Sequence, residues 1–218
     1  IAPMRAKCYD AAMEMRALAF TGGNGPKSGF DLSLIPPCDF ICAADSGLDT
    51  AIALGFRVDK AIGDFDSLRD PALLHTTFHE QLPSEKDITD TEALLQLITG
   101  KGIGSYVLVG GGEGRFDHLL HLYSLFSLYG PPEIWITAQE IMYLVRTKST
   151  LDRMEGKTVS VIPSGFRCRS SVSARQLRWP LDDFPIDMAS QSISNRCERE
   201  ELVIEVHGDP VFLSIPFP

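Results

Sequence analysis

Short apolar runs and helical repeats alternate along the first two thirds of the chain. Met15–Phe20, Phe40–Ala44, Lys60–Gly63, Tyr106–Val109 and Glu133–Thr137 are apolar at consecutive positions. That is the pattern of a strand buried on both faces of a parallel sheet. Between them, Thr89–Ile98 carries Leu94, Leu97 and Ile98 on one helical face, and Thr89 with Glu92 makes a capping box at its start. Asp117–Tyr129 is also apolar at helical spacing. The alternation predicts an α/β domain with right-handed crossovers, whose ligands sit beyond the carboxyl ends of the strands.

After about residue 145 the texture changes. Thr158–Pro163, Glu201–His207 and Pro210–Ile215 read as strands, separated by turn-forming stretches such as Leu151–Gly156 and Gly208–Pro210. No helical period is present there, and a small antiparallel β-sandwich is expected. The predicted division is residues 1–148 for the α/β domain and 149–218 for the β domain.

Composition narrows the function. A chain of 218 residues buries a core without disulfide or metal staples. A net charge of −9 argues against a nucleic-acid backbone binder, which needs a basic face. An anionic small ligand is still allowed, because a few placed cations or a metal reverse the local field. The cysteines (Cys8, Cys38, Cys42, Cys168 and Cys197) are odd in number and lack CxxC spacing, so free thiols in a reducing cytoplasm are expected. No apolar run approaches the length of a membrane span. The chain begins at Ile1 rather than Met, which leaves room for a targeting segment ahead of it.

The presumed carboxyl ends of the strands are rich in Asp and Gly. If the strand at Lys60–Gly63 continues, Asp64 and Asp66 point to one side, and two adjacent carboxylates call for a cation such as Mg²⁺. On that motif alone, a surface turn with capping aspartates serves equally well. Asp87 and Asp90, taken singly, also read as caps. Capping does not explain why Asp45-Ser46-Gly47, Asp64-Phe65-Asp66 and Lys86–Asp90 all fall on the ligand side of one sheet, and together they favour a metal–phosphate site. The stretch Gly110–His118 follows a strand and opens a helix, so its glycines and Arg115 suit an anion. It has neither Walker A nor GxGxxG spacing. His118 and His121 stand one turn apart and read as ordinary helix histidines. Trp179 reads as core, and Ser192–Asn195 as a polar turn before a strand.

In order, TGG at 21–23, ADSG at 44–47, GDFDS at 63–67, KDITD at 86–90, GGGEGRFDH at 110–118, LRWPL at 177–181 and SISN at 192–195 resemble the thiamine pyrophosphokinase (thiamine diphosphokinase) family. The likeness runs from about Ala17 to the C-terminus; residues 1–14 match nothing in it. The resemblance implies a Rossmann-like α/β/α domain followed by an antiparallel β-sandwich, in a homodimer with sites at the subunit interface. It implies transfer of the pyrophosphoryl group of ATP to thiamine, with Mg²⁺ as cofactor, giving thiamine diphosphate and AMP. Asp45, Asp64, Asp66 and Asp90 match the acidic cluster around the metal and the reacting hydroxyl. Gly110, Gly111, Gly112, Arg115, Asp117, His118, Ser46, Lys86 and Thr89 fall on the ATP side. Trp179, Ser192, Ser194 and Asn195 fall in the thiamine-contacting segments. Two positions depart from the pattern: Gln176 stands where a glycine is usual, and His121 where an Asn is expected.

Two other functions fit parts of the pattern. A Mg²⁺-dependent nucleotide phosphohydrolase would use the same carboxylates on a metal-activated water. A non-catalytic nucleotide-sensing module would bind ATP without turnover, but leaves the full acidic set unexplained.

Overall fold

The structure, a computed structural model, describes residues 15–27 and 29–218. Cys8 and the unmatched residues 1–14 lie outside the described residues. The chain divides into two units, residues 15–30 with 35–138, and residues 31–34 with 139–218.

In the first unit, strands β1 (Arg16–Phe20) and β2 (Phe40–Ala44) lead into helix α1 (Gly47–Ala53). Strands β3 (Lys60–Gly63) and β4 (His79–Gln81) lead into helix α2 (Asp90–Gly100). Strand β5 (Ser105–Val109), helix α3 (Phe116–Tyr129) and strand β6 (Ile134–Ile136) complete the unit. The strands run in the order β6-β5-β1-β2-β3-β4, and every pairing among them is parallel. All of β5 and residues 17–20 of β1 are buried, as central strands of a doubly covered sheet must be.

The chain lays down β1 to β4 outward on one side, then crosses β1 to place β5 on the other. This makes β1 and β5 the switch point of the sheet, where the loops after the two strands part and leave a crevice. Each acidic or glycine-rich turn singled out in this unit's sequence leaves the carboxyl end of β1, β2, β3 or β5, or opens α2.

Close approach explains one glycine here. A Cβ on Gly47 would lie 2.5 Å from the Phe20 carbonyl oxygen and 2.9 Å from Thr21 N, both rigid backbone. We expect Gly47→Ala to cost about 1–3 kcal/mol of stability through forced separation of α1 from β1. Urea unfolding measures this, and an unchanged midpoint would contradict the contact.

The second unit is all β: β7 (Glu140–Val145), β8 (Lys148–Asp152), β9 (Thr158–Pro163), β10 (Ser170–Ala174), β11 (Leu181–Ile186), β12 (Ser192–Arg196), β13 (Glu201–Gly208) and β14 (Val211–Pro216). Strands β12, β9, β14 and β7 lie side by side in that order, and β11, β10, β13 and β8 form a separate four-stranded sheet. The pairings are antiparallel, and burial alternates along β9 and β13, as in the layers of a sandwich.

Three local expectations are corrected. Lys148–Asp152 is a strand, and the turn expected over 151–156 begins only at Arg153, whose φ is +60°. Ser192–Asn195 is not a turn but most of β12; its Ser192 and Asn195 side chains are buried and bonded to one another, and Asn195 also to Trp179. The GDFDS segment is not a continued strand, because Phe65 turns the backbone with φ +59°.

Candidate functional site

The turn after β3 shows how the two aspartates meet. Phe65 is buried and meets the His79 ring edge-on with centroids 5.6 Å apart, which anchors the turn. Gln81 on β4 donates from Nε2 to the Asp64 carbonyl oxygen at 2.8 Å. The left-handed residue between them, not strand alternation, thus sends Asp64 and Asp66 the same way. Asp45, which follows β2, is also left-handed at φ +46°, and its N–H donates to the Ile62 carbonyl at 3.0 Å.

Carboxylate oxygens of Asp45, Asp64 and Asp66 lie within 4.8 Å of one another. Asp45 Oδ1 is buried and has no hydrogen-bond partner among the described residues. A buried, unpartnered carboxylate oxygen is costly unless a cation takes it up. Three hard oxygen donors at this spacing suit a small divalent ion.

Lys86 borders the cluster. Its ammonium donates to Asp64 Oδ2 at 3.0 Å and to the Pro83 carbonyl at 3.2 Å, and stands 3.2 Å from Asp90 Oδ1. The bond from Lys86 holds the Asp64 carboxyl below the usual carboxylate range. Burial pushes Asp90 up, against the pull of Lys86. Burial alone would lower Lys86, but its bonds to Asp64 and Asp90 outweigh that and raise it. Asp90 is therefore set apart from the trio, tied to it through a lysine.

Thr89 caps α2, its Oγ1 accepting from Glu92 N at 3.2 Å, with His121 Nε2 3.3 Å away. The cap keeps Asp90 in the first helical turn. Thr89→Ala should lose about 1 kcal/mol of stability, read by thermal unfolding, and an unshifted transition would contradict the cap.

The glycine turns meet at the switch point. Gly111 N donates to the Gly22 carbonyl at 3.0 Å, and Thr21 N to the Val109 carbonyl at 2.9 Å. A Cβ on Gly110 would lie 2.4 Å from the Thr21 carbonyl oxygen, and one on Gly112 would lie 2.3 Å from the Thr137 methyl. Trp135 Nε1 donates to the Gly110 carbonyl at 2.8 Å, and Asn24 Nδ2 to Glu113 Oε2 at 2.7 Å. Arg115 and Asp117, both well exposed, form a two-bonded pair at 3.1 and 2.5 Å. That pairing lowers the Asp117 carboxyl and raises the Arg115 guanidinium. Ser46 precedes α1 without making a side-chain cap, and His118 is exposed on the first turn of α3.

Several contributors escape sequence reading. Gln81 lies on a short, exposed strand, and Thr137 follows β6 with nothing to mark it. Thr91 of α2 bonds hydroxyl to hydroxyl with Thr21, tying the end of β1 to α2. Only the close approach of backbones, which no motif records, could have pointed to them.

In the second unit, Trp179 is 58% exposed and the Arg178 guanidinium lies 5.3 Å from its ring centroid. Asn195 and Ser192 are buried, and Ser194 is left-handed at φ +54° with its N–H donating to Ser160 Oγ at 3.0 Å.

Glycine turns and a carboxylate cluster at the carboxyl ends of a parallel sheet form the kind of setting in which phosphates and a divalent ion are held. Residues 32–135 match the family profile "Thiamin pyrophosphokinase, catalytic domain", and residues 143–209 match "Thiamin pyrophosphokinase, vitamin B1 binding domain". The chain belongs to the thiamin pyrophosphokinase family, and its general activity is that of a thiamine diphosphokinase.

Solved structures give the same fold. Thiamine pyrophosphokinase from Bacillus subtilis is 18% identical with a TM-score of 0.71, over 93% of this chain and 99% of that one. The Geobacillus thermodenitrificans protein is 23% identical with a TM-score of 0.69, over 94% of this chain and 98% of that one. The Candida albicans protein is 18% identical with a TM-score of 0.68, over 93% and 90% of the two chains. No curated protein sequence matches the chain. Among the described residues, no helix is long and apolar enough to cross a membrane.

Proposed function

We propose that this chain, as a Mg²⁺-dependent cytoplasmic homodimer with sites at the subunit interface, transfers the pyrophosphoryl group of ATP to the hydroxyl of thiamine. The reading is carried by one observation: Asp45, with a buried and unpartnered oxygen, gathered with Asp64 and Asp66 within 4.8 Å. These three residues would hold Mg²⁺, which when bound neutralises charge on the phosphate oxygens.

The chain's own groups do the rest. The glycine turns after β1 and β5 let the backbone approach the phosphates, and the N-terminal end of α3 favours an anion. Arg115, its fork already matched to a carboxylate, suits a phosphate equally well. Lys86 offers its charge beside Asp64, while Asp45 and Asp90 orient the attacking hydroxyl. The hydroxyl oxygen of thiamine bonds to the β-phosphorus as the bond from that phosphorus to the α–β bridging oxygen breaks. AMP leaves with the bridging oxygen, and the hydroxyl proton passes to a carboxylate of the cluster. In the β unit, the Trp179 indole, with Ser192, Ser194 and Asn195 beside it, offers an aromatic face to the cationic thiazolium. The free thiols Cys38, Cys42, Cys168 and Cys197 suit the reducing compartment assigned here.

The test is to incubate protein, ATP and Mg²⁺ with and without thiamine and to separate the nucleotides. AMP and thiamine diphosphate appearing together, and only with thiamine, is the expected result. ADP, or loss of ATP without thiamine, would replace transfer with hydrolysis or ordinary phosphorylation.

A further inference from the structure

Asn195 falls in a segment resembling the thiamine-contacting region, yet the residue is 3% exposed and its side chain is already committed. Its Oδ1 accepts from Trp179 N at 3.2 Å and from Arg196 N at 2.8 Å. Its Nδ2 donates to the Trp179 carbonyl at 2.7 Å and to Ser192 Oγ at 3.4 Å. A carboxamide has two lone pairs and two N–H groups, so these four bonds exhaust it. Nothing is left for a ligand.

The backbone explains why a side chain is needed. The segment 176–178 runs antiparallel to 196–198: Glu198 N donates to the Gln176 carbonyl at 2.9 Å, Leu177 bridges Cys197, and Arg178 N donates to the Arg196 carbonyl at 2.8 Å. At the next step the ladder fails. Ser194 is left-handed, and the register of β12 on β9 shifts between Ser192 and Asn195. The Asn195 amide meets Trp179 as a peptide group would, accepting from its N–H and donating to its carbonyl. Pro180 follows and has no N–H to add. An indole that is more than half exposed is therefore carried on a backbone fixed at both polar atoms.

We infer that Asn195 is a positioning residue, which touches no ligand and acts by fixing the backbone of Trp179 so that its indole is presented to thiamine; this rests on the thiamine reading given above. The clamp is visible without any ligand. In the wild-type protein, the Trp179 amide should exchange with solvent as slowly as that of Arg178, and free exchange would overturn the clamp whether or not any variant folds. In Asn195→Ala, the exposed indole should become more accessible to acrylamide before thiamine is added; Trp135, being buried, gives a constant background. The KM for thiamine should rise roughly tenfold, the scale of one or two lost hydrogen bonds, with the KM for ATP and kcat at saturating thiamine little changed. Loss of thiamine affinity with unchanged quenching would show that Asn195 contacts the ligand itself, and would overturn the assignment alone. Wild-type emission that thiamine does not alter, with an unchanged thiamine KM in Trp179→Phe, would overturn the thiamine reading and this inference with it.

Discussion

Asp64→Asn should lower kcat by about 10²–10³-fold while the protein unfolds at an unchanged denaturant concentration, the scale expected when one fixed charge is removed from a transition state. Asn keeps the shape of the side chain but withdraws a charge from the trio and from Lys86. The fold survives because the turn does not depend on the carboxylate: Phe65 is buried against His79, and Gln81 holds the Asp64 backbone carbonyl. Lys86 keeps its neighbour Asp90 at 3.2 Å. The measurement is steady-state turnover across a Mg²⁺ titration. Near-normal turnover with an unchanged Mg²⁺ requirement would place Asp64 outside the metal's ligands.

Trp179→Ala should raise the KM for thiamine roughly tenfold and leave the KM for ATP near its wild-type value, since a cation over a desolvated indole is worth on the order of one such factor. Exposure of 58% means that little core packing is lost with the ring. Arg178 already places a cation 5.3 Å from the ring centroid, so the ring face accepts positive charge in this setting. Initial rates at varied thiamine and fixed ATP, and the reverse, separate the two constants. Equal rises in both would make Trp179 a packing residue.

Most of the parallel sheet was legible because its strands are buried on both faces. Phe40–Ala44 and Lys60–Gly63 have the limits that their apolar runs indicate, and α2 and α3 begin within a residue of their predicted starts. β4 was not legible: His79–Gln81 is a three-residue edge strand with all side chains exposed. β8, β10 and β11 carry too few apolar residues to announce themselves, and Pro185 within β11 argues against a central strand.

The acidic cluster was legible as a set of motifs but not as a geometry. Asp64 and Asp66 stand together because Phe65 is left-handed, a conformation that its residue type does not signal. The KDITD motif does not show that Lys86 joins Asp64 to Asp90. Asn195 illustrates the same limit: the sequence marks the segment, and only the four bonds show that its amide is spent on Trp179.

The most direct test of pyrophosphoryl transfer follows the phosphorus itself, with ATP labelled at the β-phosphate, thiamine and Mg²⁺ incubated with the wild-type protein. The account predicts the label in thiamine diphosphate and unlabelled AMP in equal amount. Label in ADP, or in free pyrophosphate with thiamine unconsumed, would contradict it.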